Sequence, residues 1–487
     1  MNRKDNTIHP EMKWLIDSTT CDLVDAQKLP KGERQYAILS HTWRQNYREP
    51  SMPGSLPKSR TGISEVQYED MQGLHHHRDQ VKPHGWRKVK DFCRFAASRN
   101  PPHKYVWMDT CCINKRNHTE MTKSIQSMYE FYEQATVCYA YLYGVDTGNM
   151  NWHGAFMSQR WFTRGWTLQE LLAPKTLIYV DMKWREIGNA ATMEAPGALQ
   201  DVLANPSRQT QEIVTGSRPV LSNDMATQLA WAARRQLSRV EDQAYSLLGL
   251  LRIKIDINYG EGNNAFLRLQ MALIQEYRDI SILAWYTNTG NKTFQLMEMF
   301  VCQFVNEATD IEKAYKKRHQ VEQKPTFGIL APSVDFFYKE HSAKRLLDGN
   351  WNGQAQTSIG YERGHDYLTL TTTILRITIT IKYDGDIRVS EISEEKYVAQ
   401  VMHNSKTNTR VGIILVPDPR HPGKKGKERR FMRKFHDQAL FLFKYDPKEN
   451  LKSCKGVFNP GYLHVDFPRL SEHPVEPYPL REVRISL

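Results

Sequence analysis

Short apolar runs alternating with amphipathic stretches set the pattern of the amino-terminal part of the chain. Tyr36-Ala-Ile-Leu-Ser40, Tyr105-Val-Trp-Met-Asp109, Val137-Cys-Tyr-Ala-Tyr-Leu142 and Thr176-Leu-Ile-Tyr-Val180 are bounded by turn residues. Such runs suit strands buried on both faces of a parallel sheet. Between them, Trp86 to Ser98 repeats Val89, Phe92, Cys93 and Ala96 on one helical face and stops at Asn100-Pro101-Pro102. Asn117 with Glu120 forms a capping-box pattern, opening a helix whose stripe is Met121, Ile125, Met128 and Tyr132. A third, short helix is predicted inside Trp161-Phe-Thr-Arg-Gly-Trp-Thr-Leu-Gln-Glu-Leu-Leu-Ala-Pro174. Thr163 is its expected N-cap and Pro174 its stop, with Leu168, Leu171 and Leu172 on one side. Trp166 and Glu170 lie one turn apart on another side, where an indole and a carboxylate can border the same space. Strand and helix in regular alternation predict an α/β fold with a parallel sheet and flanking helices.

The pattern then changes. Leu221 to Trp285 reads as helical, with a capping box at Ser238 and Glu241 and an apolar stripe at Phe266, Leu269, Leu273 and Tyr277. Asn288 to Lys324 is polar and charged. Beyond it, Tyr367 to Lys382, Tyr397 to Met402 and Val411 to Val416 are β-rich, and Ile377-Thr-Ile-Thr-Ile381 alternates strictly. The expected organisation is a leader over 1–30, an α/β domain over 31–190, a helical extension packed on it over 191–290, a linker over 291–324 and a β-rich sandwich or barrel over 325–487.

At 487 residues the chain exceeds one ordinary core, in keeping with that division. Aromatics at 11% argue against disorder. No apolar run is long enough to span a bilayer and the charged amino terminus lacks a signal-peptide core, so a cytoplasmic location is expected. The 7 cysteines form no spaced framework, which suits a reducing compartment. A net charge of +12 attracts nucleotides, nucleic acid or acidic proteins alike. The basic run Lys424-Lys-Gly-Lys-Glu-Arg-Arg430 has no stacking platform beside it, which argues against nucleic acid and for a solvated loop or an acidic partner.

Ligands of open parallel sheets bind beyond the carboxyl ends of the strands. Ser40-His-Thr-Trp-Arg44 and Asp109-Thr-Cys-Cys112 leave such ends, and the Glu170 helix starts from the same edge. Trp43 and Trp166 can hold a flat ring, Arg44 or Arg164 a phosphate, and Asp109 or Glu170 a ribose; Asp109 serves equally as a turn cap. No Walker loop or Gly-x-Gly-x-x-Gly turn occurs there, which removes support for ordinary ATPases and dehydrogenases. Adjacent Cys111 and Cys112 would point to opposite faces in extended chain and share no metal easily, and His75-His76-His77 with His84 reads as a solvated loop; no metal is expected.

Tyr36-Ala-Ile-Leu-Ser-His-Thr-Trp43, Trp107-Met-Asp-Thr-Cys-Cys-Ile-Asn-Lys115 and Arg164-Gly-Trp-Thr-Leu-Gln-Glu-Leu-Leu-Ala-Pro174 together resemble the fungal heterokaryon-incompatibility (HET) domain. Met12 to Asp17, Arg239-Val-Glu-Asp-Gln-Ala-Tyr-Ser-Leu-Leu-Gly249 and Tyr259-Gly-Glu-Gly262 look like its flanking pieces, so the likeness runs from about Met12 to Trp285. Asn114 stands where the family usually has Asp, and the loop after Trp43 is long. The resemblance implies a role in self/non-self recognition and programmed cell death, with an incompatibility partner protein. It also implies kinship with Toll/interleukin-1 receptor (TIR) domains, hence a TIR-like sheet. Some TIR domains cleave NAD⁺ with a glutamate in a Trp-Cys-Leu-x-Glu-Leu stretch, to which Trp166-Thr-Leu-Gln-Glu-Leu171 is similar. Glu170 is then the expected catalytic residue, and NAD⁺ a substrate rather than a cofactor. Ser40, His41, Trp43, Arg44, Asp109, Cys111, Arg164 and Trp166 are the expected substrate contacts. A homo-oligomeric active form follows from the same kinship. A non-enzymatic assembly module of heterokaryon incompatibility is the alternative.

Overall fold

The computed structural model describes residues 8–43, 65–73, 82–190, 225–283 except 234, 285, 330–337 except 332, and the backbone of strands between Trp351 and Ser486. The chain divides into two compact units, Met1–Ser222 with Arg234–Ala265, and Asn223–Ala233 with Phe266–Leu487.

The first unit is built on a seven-stranded sheet. Its strands are β1 (Trp14–Asp17), β2 (Leu23–Asp25), β3 (Tyr36–His41), β4 (Tyr105–Trp107), β5 (Val137–Tyr141), β6 (Leu177–Val180) and β7 (Glu186–Asn189). Their order is β2-β1-β4-β3-β5-β6-β7, with β4, β3, β5 and β6 parallel and the outer strands antiparallel. β3, β4 and β5 are buried at every residue, as expected of strands covered on both faces. Residues 14–25, left in the leader by the sequence pattern, extend the sheet instead. Leu15 and Ile16 are fully buried, so this short segment does bury apolar surface.

Helical segments surround the sheet or connect its strands: α1 (Tyr68–Met71), α2 (Pro83–Ala97), α3 (Asp109–Cys112), α4 (His118–Gln126), α5 (Met128–Gln134), α6 (Trp152–Met157), a 3₁₀ turn (Arg160–Thr163) and α7 (Thr167–Leu172). The helix expected to run through Met121 and Tyr132 breaks at Ser127 into α4 and α5. Asn117 caps α4 by accepting from the Glu120 N–H at 3.1 Å. Glu120 does not complete the box; its carboxylate takes the Asn114 N–H at 3.1 Å and the Lys13 ammonium at 3.2 Å. Cys111 and Cys112 sit in the helical turn α3, not in extended chain, and both are buried free thiols.

Residues 191–290 divide between the two units rather than forming one block. In the second unit, Gln270 is wholly buried and exchanges two hydrogen bonds with the Ala331 backbone, at 2.8 and 2.9 Å. Its strands run from Trp351–Asn352 to Arg481–Ser486 in a ten-stranded, largely antiparallel sheet. The alternating Ile374–Thr380 pairs with Ser393–Asn404. Of the basic run, only Arg430, in Arg430–Met432, falls among the described residues. No helix among the described residues is long and apolar enough to cross a membrane.

Candidate functional site

From β3 the chain crosses to β4 on one side, then returns to β5 on the other. That reversal makes the carboxyl end of β3 the switch point at which open parallel sheets receive ligands. Ser40 and His41 finish β3 there, opposite Ala140 and Tyr141 of β5.

The short helix α7 brings Glu170 to this point. All six of its residues are buried, so it is a core helix and not an amphipathic one. Its start differs from the expectation: Trp166 occupies the N-cap position without a side-chain cap, and Thr163 ends the preceding 3₁₀ turn, its hydroxyl bonded to the Arg160 carbonyl. Thr167 instead donates to the carbonyls of Trp161 and Arg164, at 2.6 and 2.8 Å.

Glu170 is 8% exposed. The Ser40 hydroxyl donates to its Oε2, and the Trp161 indole N–H donates in turn to Ser40 Oγ at 2.6 Å. Tyr132 also hydrogen-bonds the carboxyl, and its hydroxyl reaches the Leu39 carbonyl at 3.2 Å. Burial pushes the Glu170 carboxyl up to about 8, with the Asp109 charge adding to the rise; the Ser40 and Tyr132 bonds and the charge of Arg164 pull it back. Glu170 is therefore mostly protonated at neutral pH in the unliganded protein.

A second group gathers around Asp109, at the carboxyl end of β4. The Trp43 indole N–H donates to Asp109 Oδ2 at 2.7 Å. His41 Nε2 lies 3.7 Å from Asp109 Oδ1, beyond hydrogen-bond range. The imidazole has no exposed side-chain surface, and neither ring nitrogen has a hydrogen-bond partner among the described residues. Burial, reinforced by Lys88, holds it down at about 4, so it is neutral at pH 7. The Lys115 ammonium stands 3.7 Å from the Trp43 ring centroid and donates to Gln67 Oε1 at 3.1 Å. It covers one face of the indole, leaving at most the other for stacking.

The structure thus brings Ser40, His41, Trp43, Asp109 and Glu170 to one edge of the sheet. Three expected contacts face elsewhere. Trp166 bonds Asp242 through its indole and does not border Glu170's carboxyl as the helical spacing implied. Arg164 reaches Ser238 at 3.0 Å. The Cys111 thiol points to the Val66 carbonyl at 3.5 Å, fully buried. Arg44 and His75 to His77 lie outside the described residues. Among the described residues, no group of three or more His, Cys, Asp or Glu side chains is arranged to hold a metal. Sequence reasoning missed Trp161, Tyr132 and Lys115. Tyr132 was legible as part of a buried stripe, but nothing in a 3.6-residue repeat says that its hydroxyl meets a carboxyl.

Residues 36–151 match the family profile of the heterokaryon incompatibility protein (HET). Over 258 residues, 52% of its length, the chain is 35% identical to Vegetative incompatibility protein HET-E-1 of Podospora anserina. The alignment spans 17% of that relative. Both likenesses are to heterokaryon incompatibility proteins, and the segment matched by the family profile runs from β3 through β5. No solved structure matches the chain significantly.

Proposed function

We propose that the chain is a self/non-self recognition and cell-death effector that hydrolyses NAD⁺ at the nicotinamide–ribose bond, with Glu170 as the catalytic residue. The observation that carries this reading is a buried carboxyl, bonded by Ser40 and Tyr132 with the Trp161 indole behind Ser40, at the switch point of a parallel sheet. The strand order β4-β3-β5-β6 supports kinship with TIR domains, because it is the flavodoxin-like 2-1-3-4 arrangement. Breaking the bond builds positive charge on the ribose, and a carboxylate in a dry site stabilises it. Nicotinamide leaves as a neutral molecule, so no second carboxyl is needed to protonate it. On this reading Asp109, Trp43 and Lys115 would take the ribose, a flat ring and a phosphate. The carboxyl-terminal strands form a separate β-rich domain that restrains or triggers the effector, which works in the cytoplasm as a homo-oligomer.

The purified 487-residue chain incubated with NAD⁺ should release free nicotinamide, and Glu170→Gln should lower kcat by about 10²-fold or more. The near-complete burial of Glu170 favours a second reading, in which the cluster only stabilises a non-enzymatic assembly module. Cell killing undiminished in the Gln variant, with no NAD⁺ loss in either protein, selects that second reading.

A further inference from the structure

The Arg239–Gly249 and Tyr259–Gly262 motifs lie outside the matched 36–151 segment. Their contacts converge on α7, which carries Glu170, and on α5, which carries Tyr132. Asp242 is 4% exposed and takes hydrogen bonds from the Tyr259 hydroxyl at 2.9 Å and from the Trp166 indole. Glu241 takes the backbone N–H groups of Gly260 and Gly262, at 2.7 and 3.1 Å, and so fixes the loop that presents Tyr259. These bonds replace the expected capping box, since Ser238 faces Arg164 instead.

The backbone is held as well. Gln236 donates to the Thr163 carbonyl at 2.7 Å and accepts from Gly165 at 3.0 Å, a parallel bridge to the residues just before α7. The Arg235 guanidinium donates to the Arg164 carbonyl at 2.8 Å. Leu237 packs directly on the Gly165 backbone: a Cβ there would stand 2.1 Å from Leu237 Cδ2 and 3.2 Å from its Cγ. On the other side, a Cβ on Gly249 would meet Tyr129 Cβ at 2.2 Å, and Arg252 pairs with Glu130 and Glu133, all on α5. α5 also carries Tyr132.

A six-residue helix with no side-chain cap has little order of its own. Its placement must come from what grips its ends. We propose that Asp242 is a positioning residue: through Trp166 it holds the start of α7 so that Glu170 stays seated between Ser40 and Tyr132. Residues 235–262 thereby form the second half of the site. This deepens the NAD⁺ reading and rests on it only for the activity arm of its test.

The 487-residue chain with ¹³C-labelled glutamate gives a direct readout, the Glu170 carboxyl resonance, assigned by its loss in Glu170→Gln. Asp242→Asn and Trp166→Phe should each move its titration midpoint down from about 8, by about one pH unit or more, as the carboxyl becomes wetter. Both should cut kcat for nicotinamide release about tenfold or more, with KM within about twofold. Asp181→Asn breaks a buried carboxylate network with Thr147 and Arg185 in the first unit, away from this clamp. It should lower Tm comparably and leave the midpoint unmoved. An unchanged midpoint in Trp166→Phe and in any Asp242→Asn protein that folds overturns the proposal. A wild type that releases no nicotinamide overturns the NAD⁺ reading alone, because the titration still decides the clamp.

Discussion

Glu170→Gln should make the protein more stable at alkaline pH than the wild type, and the margin follows from the site. Burial raises the carboxyl from its ordinary 4.5 to about 8. Between those values the folded state keeps a proton that the unfolded chain has released. Stability therefore falls as pH rises through this window, is fully retained below about 4.5 and levels off above about 8. At about 1.4 kcal/mol per pH unit, the ceiling of the loss is about 5 kcal/mol. The substituted glutamine has nearly the volume of the protonated acid and does not titrate. It still offers an oxygen to Ser40, but its amide carries two protons where the acid has one, a mismatch costing about 1 kcal/mol. The variant should thus be equal or slightly weaker near pH 5 and stronger by several kcal/mol near pH 8. Urea unfolding of both proteins from pH 5 to 9 measures the difference, and other titrating groups cancel because both chains contain them. Parallel stability curves across that range would refute the burial argument.

The acid side behaves oppositely: His41 is held down at about 4 by burial, so stability should fall as pH drops from 6.5 to 4, by up to about 3 kcal/mol, and urea unfolding of His41→Gln should show a flatter acid limb. If Glu170 must ionise to act, kcat/KM for nicotinamide release should rise with pH and level off above about 8, whereas a profile flat from 6 to 9 removes its ionisation from the mechanism. Gly249→Ala should cost about 1–3 kcal/mol by overpacking against Tyr129, read as a lower urea midpoint at unchanged m-value.

The sheet was legible because its inner strands are short, largely apolar and punctuated, and Ala37, Ile38, Leu39 and Val106 are all fully buried. β1 escaped notice because Trp14-Leu-Ile-Asp17 is only four residues long and pairs antiparallel with β4, a partner that follows two other strands in the chain. Such pairing is a long-range fact that local periodicity cannot carry. The site was half legible for the same reason. Strand ends could be read in order, which places Ser40, His41, Trp43 and Asp109 on one edge. Side-chain direction could not: the i, i+4 spacing of Trp166 and Glu170 presumed that the indole stays beside the carboxyl, but Trp166, at the N-cap with helical φ and ψ, turns its indole to Asp242. The indole that does serve Glu170 is Trp161, from the preceding 3₁₀ turn.

A protonated Glu170 looks at first like an obstacle to catalysis by a carboxylate. The groups around it say otherwise. The Ser40 hydroxyl donates to the carboxyl, and the bonds from Ser40 and Tyr132 both favour the ionised form; burial, with the Asp109 charge, outweighs them. A ligand that brings a fixed positive charge against the carboxyl shifts that balance, since the same low dielectric that penalises a lone charge strengthens a pair of opposite ones. The pyridinium of NAD⁺ carries such a charge, and the ribosyl cation formed as the bond breaks carries it closer to the sugar. NADH has neither. On the proposed reading, a carboxyl raised to about 8 by burial would ionise chiefly when a cation is beside it, and would stabilise that cation with little screening by water. The burial that makes Glu170 resemble a core residue is then the property that would make it selective for an oxidised nicotinamide nucleotide.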